Sequence, residues 1–136
     1  MKFRSDVAGT VTGVRFFKGS SNTGTHVGHL WSATGTLLAS VTFSGETASG
    51  WQQASFAAPV PIQANTTYIV SYFAPVGFYS STKDYFGGSS TDTPPLHALA
   101  SGIDGPNGVY RYGTSSFPTE SFKNTNYWVD VIFNGS

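Results

Sequence analysis

The sequence predicts an all-β domain: an antiparallel β-sandwich of the jelly-roll type with two long aromatic-rich loops. Three observations predict it. Apolar residues recur with a period of two rather than the helical 3.6. Clusters rich in Gly, Asn, Ser and Pro separate the alternating segments, as turns do between short strands. Aromatic residues make up 15% of the 136 residues, too many for a disordered chain. A chain of this length forms one domain, residues 1–136, with enough buried surface for a core without staples.

The elements follow in order. The opening MKFRSDVAG leads straight into strand-like sequence. VTGVRFF at 11–17, HVGHLW at 26–31, WQQASF at 51–56 and GVYRY at 108–112 read as strands. In TLLASVTF, Leu37, Ala39, Val41 and Phe43 share a face; in TYIVSYF, Tyr68, Val70 and Tyr72 do. NYWVDVIF sets Tyr127, Val129, Val131 and Phe133 against Trp128, Asp130 and Ile132. GSSNTGT, SATGT, SGETASG, AAPVP and QANTT are the punctuation. PPLHALASG fits a short helix from Pro95 to Gly102 or a short strand equally well. Two facing sheets would enclose Val14, Phe16, Leu30, Leu37, Val41, Phe56, Ile62, Val70, Val129, Val131 and Phe133.

Composition excludes several functions. Seven Lys plus Arg balance seven Asp plus Glu, so no basic footprint for nucleic acid exists. There is no cysteine, hence no disulfide framework, zinc–thiolate site or thiol nucleophile. No apolar run approaches the roughly 20 residues that cross a bilayer, and no signal-length stretch opens the chain. Low charge with abundant Ser, Thr, Gly and Tyr suits a module of a longer exported bacterial protein. Extracellular location and a monomeric state are therefore expected.

Residues 74–95 and 101–122 do not alternate, and loops of that length in a small sandwich usually serve a function. They carry Tyr79, Tyr85, Phe86, Tyr110 and Tyr112 beside Asp84, Asp104, Asn107 and Arg111. A pyranose has an apolar C–H face and a hydroxyl rim; rings stack on the first, and Asp, Asn or Arg satisfies the second. The expected ligand-binding set is thus Tyr79, Tyr85, Phe86, Asp104, Asn107, Tyr110, Arg111 and Tyr112. The bland reading is that these tyrosines cap the ends of the sheets.

Read in order, several segments resemble one bacterial family. They are GTVTGVRFFKGSSNTGTHVGHLWSATGTLLASVTFSGETASGWQQ with the strand sequences that follow, then GFYSSTKDYF, NGVYRYG and NYWVDVIF. The resemblance is to domain of unknown function 4082, found in large exported proteins beside immunoglobulin-like and glycan-associated modules. It implies a β-sandwich module and other domains of a parent protein as neighbours; it implies no reaction. The chain departs from the family pattern at Phe17, where Tyr is frequent, and at Phe73 and Phe78, where histidines stand.

Other constellations are weaker. Trp51 is expected to pack across the core, while Trp31 and Trp128 are ambiguous between a sheet surface and a covered position. Asp130, outward on the last strand, is a candidate ligand for a structural calcium, with Asp6 as a second if first and last strands pair. Calcium takes roughly six to eight oxygens. An anchor role for Asp130, or an ion pair with Arg15 or Arg111, competes with that. His26 and His29 stand three apart and so face opposite sides of a strand. No nucleophile elbow, H-E-x-x-H motif or paired carboxylates appear. NTT at Asn65 and NGS at Asn134 match the glycosylation acceptor pattern but carry little weight in a bacterial chain. The sequence therefore predicts a non-catalytic carbohydrate-binding module without a cofactor beyond a structural calcium. A spacer or protein-binding adhesion module is the rival, and a small hydrolase comes third.

Overall fold

The computed structural model describes residues 1–73, 91–93, 95–99, 109–110, 120–121 and 129–135, with 91–93, 109–110 and 120–121 described by their backbone alone. The strands are β1 (Lys2–Ser5), β2 (Gly9–Lys18), β3 (Val27–Ser32), β4 (Leu37–Thr42), β5 (Gly50–Ile62) and β6 (Tyr68–Phe73). They continue with β7 (Thr91–Thr93), β8 (Leu96–Ala98), β9 (Val109–Tyr110), β10 (Glu120–Ser121) and β11 (Val129–Gly135). Among the described residues there is no helix.

Two antiparallel sheets face each other. One has the order β4-β3-β6-β1-β8-β7, the other β11-β2-β5, and β9 with β10 forms a small separate ladder. The chain changes sheet on going from β1 to β2, β2 to β3, β4 to β5 and β5 to β6. Successive strands thus send their apolar faces toward one shared interior. Phe3, Leu30, Phe43, Tyr68 and Val70 enter it from the larger sheet, and Val11, Val14, Phe16, Phe56, Ile62, Val129 and Val131 from the smaller. The architecture is all-β and sandwich-like.

Phe16 is fully buried at the centre. Its ring stacks on Tyr72 at 4.3 Å and meets Phe43 edge-on at 4.9 Å. Such ring pairs add about 0.5–1.5 kcal/mol each beyond area burial. Gly13, next to the core strand residue Val14, leaves no space for a side chain: a Cβ there would lie 2.3 Å from the Ala54 carbonyl oxygen. The tight β2–β5 approach therefore requires glycine at this position.

Most of the expected core is buried, with Val41 and Phe133 partly so. Leu37 is the exception, 49% exposed. The β3–β4 ladder pairs Leu30 with Ala39 but Trp31 with Leu37, so an irregularity at Leu38 breaks the alternation. Leu37 thereby joins Trp31 on the outer face. SATGT is the predicted hairpin turn: Ser32 N–H donates to the Thr36 carbonyl at 2.9 Å, and Gly35 supplies a φ of 98°. AAPVP is not a turn. β5 runs through it to Ile62 as an edge strand, where Pro59 and Pro61 do not interrupt the sheet. Leu96–Ala98 forms a strand, which decides the open choice over PPLHALASG.

Candidate functional site

The outward side of the three-stranded sheet carries a mixed aromatic and polar platform. Val14 and Phe16 point inward on β2, so Arg15 and Phe17 point outward. On β5, Gln52 and Phe56 point inward and Trp51, Gln53 and Ser55 outward. The register places Phe17 opposite Trp51, and Arg15 between Gln53 and Asp130. Cross-strand neighbours in such rows lie close enough for side-chain contact.

Trp51 is 48% exposed and Phe17 40%. Their rings meet edge to face at 5.6 Å. The Arg15 guanidinium lies over the indole, its Cζ 4.9 Å from the ring centroid. Arg15 Nη2 and Nε donate to Asp130 Oδ2 at 2.9 and 3.3 Å, while Asp130 Oδ1 accepts the Val131 N–H at 2.8 Å. A half-exposed indole, an orthogonal phenyl ring and a pinned guanidinium thus share one sheet surface. This arrangement can receive a flat, partly apolar ligand and hydrogen-bond its edge.

The position of Trp51 corrects the expectation that it packs across the core. The inward place at this end of β5 belongs to Gln52, 5% exposed. Its carboxamide oxygen accepts from Thr47 N–H at 2.9 Å, and its nitrogen donates to Thr47 Oγ1 at 2.7 Å and Gly50 O at 3.2 Å. The loop leading into β5 has backbone polar groups that need partners. Filling the inward site with glutamine turns its neighbour out.

Trp31 is settled the other way. It faces away from the core between the sheets yet is only 7% exposed, with Nε1–H donating to Ser71 Oγ at 2.9 Å and its ring stacked on His29 at 5.4 Å. Trp128 lies outside the described residues. So do Tyr79, Tyr85, Phe86, Asp104, Asn107, Arg111 and Tyr112; Tyr110 is placed by its backbone alone, in β9 opposite Glu120.

The two carboxylates expected to share calcium do not come together. β1 is flanked by β6 and β8, and β11 pairs with β2, so first and last strands are not partners. Asp6 follows β1 near the Gly135 end of β11, where a Cβ on Gly135 would lie 3.8 Å from Val7 Cγ2. Asp130 stands five residues back along that strand, about 17 Å at 3.4 Å per residue. Each has another partner: Asp130 the Arg15 side chain, Asp6 the His97 imidazole, with His97 Nε2 2.8 Å from Asp6 Oδ2. The ion pair with Arg15 is one of the alternatives weighed for Asp130.

A second polar constellation lies inside the domain. His26 is fully buried, its Nδ1 2.8 Å from Glu46 Oε1 and its Nε2 2.7 Å from Asn22 Oδ1. Lys18 Nζ sits 3.2 Å from the same Glu46 oxygen and donates to Thr47 O at 3.1 Å. Burial works to raise the Glu46 carboxyl, but the hydrogen bonds and charges of His26 and Lys18 outweigh it and hold the group below the usual carboxylate range. With its imidazole sealed from solvent, His26 cannot meet a substrate. The cluster ties the loop after β2 to the loop before β5, beneath the platform.

Sequence reasoning named the Arg15–Asp130 pair but missed the Trp51–Phe17 contact beside it and the buried His26–Glu46–Lys18 cluster. Arg15 and Phe17 were legible as the outward partners of Val14 and Phe16. Glu46 stands 20 residues from His26, and no local spacing announces that contact.

No curated protein and no solved structure is found to match the chain. A family model described as a domain of unknown function (DUF4082) matches residues 1–129. With nearly its whole length covered by that match, the chain belongs to the DUF4082 family.

Proposed function

We propose that this domain is a non-catalytic carbohydrate-binding module of an exported bacterial protein, built as a jelly-roll sandwich, that holds its parent on a polysaccharide or glycan. The observation that carries the reading is the exposed Trp51–Phe17 pair beside the Arg15–Asp130 ion pair. The two half-exposed rings touch and form one small apolar platform, and a sugar's C–H face fits it. Gln53, exposed and opposite Arg15, adds an amide for the hydroxyl rim. Tyr79, Tyr85, Phe86, Tyr110 and Tyr112, with Asp104, Asn107 and Arg111, are proposed as a second ring-bearing surface. Binding is weak and reversible, since each sugar hydroxyl exchanges water for a protein partner.

Affinity electrophoresis through gels containing soluble polysaccharides tests this. The wild-type domain is retarded by at least one polysaccharide, and Trp51→Ala abolishes the retardation with an unchanged melting temperature. A Tyr85→Ala/Tyr112→Ala variant measures the share of the loop rings. No retardation by any polysaccharide, with Trp51 instead needed for capture of another domain of the parent protein, would replace the reading with the protein-binding module.

A further inference from the structure

We infer that the platform admits neutral glycans and refuses anionic ones, and that Asp130 is the residue that sets this specificity. The inference rests on the carbohydrate-binding reading above and names its ligand class. In β2, β5 and β11 the outward charged side chains are Arg15 and Asp130 alone; Lys18, the remaining charge of these strands, points inward and is 7% exposed. One cation and one anion cancel, so the outward face of these three strands carries no net formal charge among the described residues.

Geometry makes the cancellation local. Arg15 and Asp130 are register partners on adjacent strands, and both guanidinium bonds converge on Oδ2. The guanidinium is also held against the Trp51 ring. An incoming carboxylate or sulfate would therefore reach Arg15 only at close range to the Asp130 carboxylate. Like charges at that separation repel, and a shallow site offers little to offset it.

The hydrogen-bonding inventory points the same way. A guanidinium has five N–H donors, and Asp130 takes two of them. Three are left beside the indole, oriented by the contacts that Arg15 makes with Trp51 and Asp130. Asp130 Oδ1 is engaged by the Val131 N–H. The site thus offers oriented donors to hydroxyl oxygens, an adaptable amide at Gln53 and an apolar ring, with no uncancelled formal charge among the described residues of this face. Hydroxyl-rich neutral chains match that set.

Matched polysaccharide pairs test the assignment: hydroxyethyl cellulose against carboxymethyl cellulose, dextran against dextran sulfate, and methyl-esterified pectin against polygalacturonate. Each pair keeps the backbone class and changes the charge. The wild-type domain is expected to bind the neutral member of at least one pair ten-fold or more tighter than the anionic member, at low salt. Asp130→Asn keeps a side-chain oxygen for Val131 N–H but frees the guanidinium, so it should shrink or invert that ratio, with the inversion lost at high salt. Trp51→Ala should remove binding to both members. Preference of the wild type for the anionic member, or an Asp130→Asn ratio equal to the wild type's, overturns the inference and leaves the carbohydrate-binding reading in place. Absence of binding across all pairs overturns that reading, and the inference with it.

Discussion

His26 Nδ1 lies 2.8 Å from Glu46 Oε1, and the imidazole has no exposed surface. Lys18 Nζ approaches the same oxygen at 3.2 Å. One carboxylate therefore joins the end of β2 to the residues flanking β3 and β5. Removing one member of such a buried set leaves its partners desolvated and uncompensated. Glu46→Gln should cost about 3 kcal/mol of unfolding free energy, the scale of a broken buried pair. A double-mutant cycle with Lys18→Met should give a coupling of about 1–3 kcal/mol. Urea denaturation measures both; additive losses would show that the two side chains act independently.

The pH dependence of stability should include one window set by His29 and a lower one set by Glu46. Burial pushes the His29 imidazole below its ordinary value of 6.5. The folded state then binds this proton less readily than the unfolded state, so the contribution of His29 is full above pH 6.5 and declines as pH falls below it. Glu46 is held below 4.5. Its contribution is present above pH 4.5 and is lost as pH drops through the lower folded value. Melting temperatures across pH 3–8 should show both declines. His29→Asn should flatten the upper window and Glu46→Gln the lower; a profile unmoved by either substitution contradicts the assignment.

The Arg15–Asp130 pair should matter little for folding. Its side chains are 45% and 34% exposed, and pairs open to water contribute roughly 0–1 kcal/mol. Arg15→Ala with Asp130→Ala should give a coupling below about 1 kcal/mol, read by chemical denaturation. A larger coupling would make the pair a fold determinant and weaken the case that its geometry serves a ligand.

Gly13→Ala should be among the most damaging small substitutions in the chain. The added carbon would fall 2.3 Å from Ala54 O and 3.1 Å from Ile132 Cδ1, and the first neighbour is backbone. Separating β2 from β5 costs roughly 1–3 kcal/mol as overpacking does elsewhere. Thermal denaturation checks this, and a melting temperature within a degree of the wild type would refute the close approach.

The same residues show how far periodicity reads. Val14, Phe16, Leu30, Val70, Val129 and Val131 are buried as the alternation predicts, because a strand sends every second side chain to the same face. Leu37 escapes the rule, since one irregular pair shifts the parity of everything beyond it. Trp51 obeys it: counting back from the inward Phe56 puts Gln52 inside and Trp51 outside, and the expectation that the indole packs across the core went against that alternation.

By itself the sequence determined the all-β class, the family, most strands and most of the core. These depend on local alternation and turn chemistry, which neighbouring residues along the chain carry. Tertiary structure decided which carboxylate meets which base, that Asp6 and Asp130 stand apart, and that Trp51 and Phe17 share an open face. Those outcomes depend on strand order and register, set by the summed packing of two sheets rather than by any one segment.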